Sequence, residues 1–110
     1  MKLWIDDIRT KPDDYDLWAR TCDEAFEMLD THHITFISFD HDSGEEDFDF
    51  IKVAYVLEKL ACFNEYHKVE WTIHSANPVG AAAIEAAMKS ADRYWALNEM
   101  AKIEQELELE

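Results

Sequence analysis

Three short polar clusters gather the residue types that can do chemistry: Asp6-Asp7, Asp40-His41-Asp42 and His74-Ser75-Ala76-Asn77-Pro78. Adjacent carboxylates repel one another, and a cation relieves that repulsion. Oxygen donors of this kind suit Mg²⁺ or Mn²⁺, so Asp6, Asp7, Asp40 and Asp42 are the candidate metal ligands. His41 and His74 titrate near neutral pH and are candidate general acids or bases. Ser75 and Asn77 can hydrogen-bond phosphate oxygens, and the N–H groups near Val79 and Gly80 open a helix, a ready anion site. Arg9 stands close enough in sequence to clamp a phosphate. Each cluster also has a plain structural reading. Aspartates often follow strands, and Asn77 before Pro78 is a helix-capping pattern.

What makes the clusters informative is where they fall. Leu3 to Ile5 is a short apolar run that stops at Asp6. Thr35 to Phe39 is β-branched and aromatic and stops at Asp40. Val69, Trp71 and Ile73 alternate with Glu70 and Thr72 and stop at His74. Buried strands read this way when their carboxyl ends reach the surface. Leu17 to Ala19 is a further short strand candidate, but the connection from Asp6 to Asp16 is short for a crossover and shows no helical period, so its position stays open.

Helices alternate with these strands. Thr21-Cys22-Asp23-Glu24 has capping-box spacing, and Cys22, Ala25, Phe26 and Leu29 follow at helical intervals up to His32-His33. A second helix is expected from about Phe48 to Phe63. An alanine-rich third follows Pro78, with Ile84, Ala87, Met88, Ala91 and Trp95 on one face. A last helix, about residues 95–108, carries Ala96, Met100, Ile103 and Leu107 among glutamates. The pattern predicts a single α/β domain over residues 1–110, a mostly parallel sheet of about four strands flanked by helices, with an extra C-terminal helix. Right-handed crossovers put every strand's carboxyl end on one edge, where such sheets bind ligands. Trp4, Trp18, Trp71 and Trp95 are expected in the core.

The formal net charge is −15, from 25 acidic and 10 basic side chains. A field of that sign repels phosphate backbones and anionic membranes, so general nucleic-acid or membrane binding is not expected. A small phosphorylated ligand or a cyclic phosphate end remains possible where a cation inverts the local charge, and a protein partner remains open. Cys22 and Cys62 lie among apolar residues and read as buried thiols. The first residues turn charged too early for a signal peptide, and no apolar run is long enough to span a membrane. The cytoplasm follows by elimination.

The strings Trp4-Ile5-Asp6-Asp7-Ile8-Arg9, Ser38-Phe39-Asp40-His41-Asp42-Ser43-Gly44 and His74-Ser75-Ala76-Asn77-Pro78-Val79-Gly80 resemble, in order and spacing, the three motifs of the cyclic-phosphate-processing receiver-like domains. The resemblance spans about residues 1–90. It implies a receiver-like, flavodoxin-like fold, with Asp6 and Asp7 in the place of a receiver's Mg²⁺-binding pair. It also sets Asp40 in the place of the phosphoacceptor and Ser75 in that of the hydroxyl residue ending the fourth strand. The fifth strand and the lysine that receivers need are not found, which argues against an ordinary phosphorelay. The chain departs from the family pattern at Phe48-Asp49-Phe50 and at Ala81-Ala82-Ala83.

The leading expectation is a metal-dependent phosphoesterase acting on a cyclic phosphate, a nucleotide or an RNA end. His41 and His74 would handle protons, with their two roles interchangeable. Asp6, Asp7, Asp40 and Asp42 would hold the metal, and Arg9, Ser75, Asn77 and Gly80 the phosphate. One alternative is a non-catalytic module that binds a phosphorylated ligand or partner. The other is an acidic interaction protein or nucleic-acid mimic built on the glutamate-rich surface.

Overall fold

The computed structural model describes residues 1–40, 50–75 and 78–108. Four strands, β1 (Lys2–Ile5), β2 (Leu17–Ala19), β3 (Phe36–Phe39) and β4 (Glu70–Ile73), form one parallel sheet in the order β2-β1-β3-β4. The three helices are α1 (Cys22–Thr31), α2 (Ile51–Cys62) and α3 (Pro78–Glu108). The β2–α1–β3 and β3–α2–β4 connections step across the sheet in the same direction. Right-handed crossovers therefore lay α1 and α2 on the same face. On that face Leu3, Ile5, Ile37 and Phe39 are fully buried and join Ala25 and Leu29 of α1, Val53 and Leu57 of α2, and Ile84 and Met88 of α3 in one cluster.

The segment left open by sequence, Leu17 to Ala19, is the edge strand beside β1. No helix carries the chain to it. Residues 6–16 cross as a loop tied down at both ends: the Asp6 N–H donates to the Ala19 carbonyl, and the Asp16 N–H donates to the Lys2 carbonyl. Within that loop Tyr15 packs edge-on against Trp4 and Phe36. The loop thus covers part of the face opposite the helices.

Helix α1 starts as its sequence dictates. The Thr21 hydroxyl caps it by accepting from the Glu24 N–H. Helix α2 ends at the Phe63 cap, followed by Asn64 at a φ of 54°, a left-handed position that Asn tolerates better than most residues. Its expected start near Phe48 lies outside the described residues. The two C-terminal helices read from sequence are one continuous helix, α3. No Gly or Pro interrupts residues 81–108, and the segment is rich in Ala, Glu, Lys, Leu and Met, the strongest helix formers. Cys22 is buried as expected, whereas Cys62, at the end of α2, is exposed.

The tryptophans divide between the faces. Trp95 belongs to the hydrophobic cluster and Trp71 packs against it. Trp4 and Trp18 are paired in register on the opposite face, where Arg20 lies over the Trp18 ring.

Candidate functional site

Sheet register builds the site. Ile5, Phe39 and Ile73 are paired across β1, β3 and β4. The ladder continues one step past the strands: the Asp40 N–H donates to the Ile5 carbonyl and the His74 N–H to the Phe39 carbonyl, both at 2.9 Å. Asp6, Asp40 and His74 therefore stand side by side at the carboxyl edge. Because side chains alternate along a strand, they share the face of Trp4 and Ser38, not that of the core. Ligand atoms of the three lie within 4.8 Å of one another.

Asp6 is fully buried, and a buried carboxylate needs hydrogen bonds to offset its desolvation. Its Oδ1 accepts from the N–H groups of Ile8 and Arg9, each at 2.8 Å. Its Oδ2 lies 2.9 Å from His74 Nε2. Trp18 Nε1 donates to the Asp6 carbonyl at 2.7 Å. The turn from Asp6 to Arg9 is thus built around the Asp6 side chain, a local bonding pattern for which Asp is well suited.

His74 is held on every side. Trp4 stacks on its ring, with centroids 3.8 Å apart and planes 6° from parallel. Ser38 Oγ lies 2.7 Å from Nδ1. A carboxylate only accepts, so Nε2 carries the proton toward Asp6, and Nδ1 accepts from the Ser38 hydroxyl. Burial lowers the His74 pKa below the ordinary imidazole value. The hydrogen bond and charge of Asp6 and the charge of Asp40 oppose that shift, and Arg9 reinforces it. Arg9 also closes the ring of contacts, its Nη1 donating to the His74 carbonyl at 2.6 Å and its own carbonyl accepting from Trp4 Nε1 at 3.1 Å.

The other candidates fall around this core. Asp7 is half-buried outside the converging set, and its carbonyl accepts from Arg20 Nη2 at 3.2 Å. Ser75 is half-buried beside His74, and Gly80 is buried in the first turn of α3, which Pro78 opens as its position predicts. His41, Asp42 and Asn77 lie outside the described residues. Sequence reasoning assigned Trp4 to the core and gave no role to Ser38 or Arg20. The first two were accessible to it: each stands two residues before a site aspartate, hence on the same face of its strand.

Asp6, Asp40 and His74 are a donor set that could hold a divalent cation. Carboxylates suit Mg²⁺ and Mn²⁺ alike, while the imidazole favours the softer of the two.

An all-parallel sheet in this order, with its polar side chains at the carboxyl edge, defines a receiver-like α/β domain that lacks the fifth strand among the described residues. The family model for the cyclic-phosphate processing receiver domain matches residues 1–90, and the chain belongs to that family. Neither the curated proteins nor the solved structures yielded a match. None of the described helices is long and apolar enough to cross a membrane.

Proposed function

We propose that this domain is a metal-dependent phosphoesterase that opens a cyclic phosphate, on a nucleotide or an RNA end. The observation that carries this reading is the row Asp6, Asp40 and His74, brought together by register at the edge where α/β sheets bind ligands. Asp6 and Asp40 would hold Mg²⁺ or Mn²⁺, with Asp7 and Asp42 beside them and His74 orienting Asp6. Bound there, the ion would supply charge against a phosphoryl oxygen and lower the pKa of a bound water. In ring opening, the water oxygen bonds to phosphorus, one ester P–O bond breaks, and a proton passes from the water to the departing alkoxide.

The two histidines are not equivalent for that proton. Both His74 nitrogens are engaged within the protein, by Ser38 and by Asp6. This supports His74 as the anchor of Asp6 and leaves the proton to His41. Arg9, Ser75, Asn77 and the start of α3 near Gly80 would hold the phosphate.

The same engagement of His74 also favours a second reading, a module that binds a phosphorylated ligand without turning it over. Phosphorus NMR of a 2′,3′-cyclic nucleotide incubated with the protein and Mn²⁺ separates the two. Enzyme action predicts conversion to the monoester, abolished in His41→Ala and in Asp40→Asn. A cyclic nucleotide that shifts or broadens but stays intact would establish the binding module instead.

A further inference from the structure

Helix α3 carries two apolar stripes of identical spacing on different sides. Ile84, Met88, Ala91 and Trp95 are buried. Ala96, Met100, Ile103 and Leu107 repeat the same intervals twelve residues later. At 3.6 residues per turn this displaces the second stripe roughly 120° round the helix, away from the core. Every residue from Glu99 to Glu108 is exposed, and Leu97, Met100, Ile103 and Leu107 are 47–65% exposed. The stripe begins at Ala96, because the preceding positions of the same repeat are Lys89 and Arg93. Its 4-3-4 spacing is that of a coiled-coil seam.

The flanks say what fits the seam. On a helical projection Glu99 and Glu106 border one side and Glu104 and Glu108 the other, while Lys102 lies on the far side of the helix. A second copy packed parallel would set Glu99 against Glu104, and one packed antiparallel would set like glutamates against each other. A bilayer bearing anionic lipids would meet the same glutamates. We infer that the distal half of α3 docks a cationic amphipathic helix of a partner protein. That helix would lay its apolar face on Met100, Ile103 and Leu107 and its lysines or arginines against the flanking glutamates. This inference does not depend on the proposed phosphoesterase activity.

The probe is a labelled synthetic 21-residue peptide with leucines at 3-4 spacing and lysines on both flanks. Its controls are a scrambled peptide of the same composition and a glutamate-flanked one. Fluorescence anisotropy with the full chain at physiological salt should show binding of the first peptide only. Binding should weaken at least about tenfold in Met100→Gln/Ile103→Gln, exposed substitutions that keep helix propensity and charge. Glu99→Gln/Glu104→Gln should weaken it too and flatten its salt dependence. The inference is overturned if the first peptide fails to bind, if the scrambled peptide binds equally, or if Met100→Gln/Ile103→Gln changes nothing. It is also overturned if sedimentation equilibrium reveals a dimer that this double variant dissolves, since a second copy would then occupy the seam.

Discussion

The two faces of the sheet are made by alternate residues of the same strands, and they differ in kind. On one, Leu3, Ile5, Ile37 and Phe39 vanish under three helices. On the other, Trp4 and Ser38 reach up to support His74 at the sheet edge. Parallel sheets usually bury both faces in hydrocarbon. Here the second face has a loop where a helix would lie, and its inner positions go to an indole and a hydroxyl that orient a site. Core packing and the candidate site are thus separated by one residue of strand phase, close enough to share a backbone and distinct enough to be perturbed apart.

The largest expected effect comes from breaking the helix-covered face. Phe39→Ala should cost about 3–5 kcal/mol in chemical denaturation through its lost burial and the cavity left behind. Asp6→Asn acts on the other face. It leaves the half-buried His74 Nε2–H facing an amide in place of its carboxylate, and should cost about 1–3 kcal/mol. In the same assay with added Mn²⁺, this variant should also lose any stabilisation that the ion gives the wild type. Ser38→Ala sharpens the contrast further, since it removes one hydrogen bond on Nδ1 and no apolar packing. It should cost about 1 kcal/mol, and less in Ser38→Thr, which keeps the hydroxyl.

The smallest effect is a pH dependence. Folding lowers the His74 pKa, so below about 6.5 the unfolded chain binds the proton more readily than the folded one. The stability that neutral His74 contributes is complete above that value and declines as the pH falls through it. Denaturation midpoints measured between pH 5 and 7.5 should therefore fall more steeply with acid in the wild type than in His74→Gln.

Much of this was legible in the residues. An apolar run ending in Asp or His marks a strand reaching an edge, and three such endings foretold the placement of Asp6, Asp40 and His74. Their adjacency was not legible, because register depends on how strands pair and not on any one strand. Trp4 reads as core and Ser38 as an ordinary strand residue when each strand is taken alone, although period two places both beneath the site. Leu17 to Ala19 is short and lacks a preceding helix, so only its pairing with β1 identifies it. The split of α3 into two helices followed from its apolar stripe changing sides between Trp95 and Ala96, a change that a straight helix accommodates without a break.

Isothermal titration of Mn²⁺ into the wild type, Asp40→Asn and Asp6→Asn, at moderate salt to suppress diffuse ion uptake, tests the site most directly. The account predicts one saturable site in the wild type that both substitutions abolish. Heats without saturation, or a site that survives both substitutions, would contradict it.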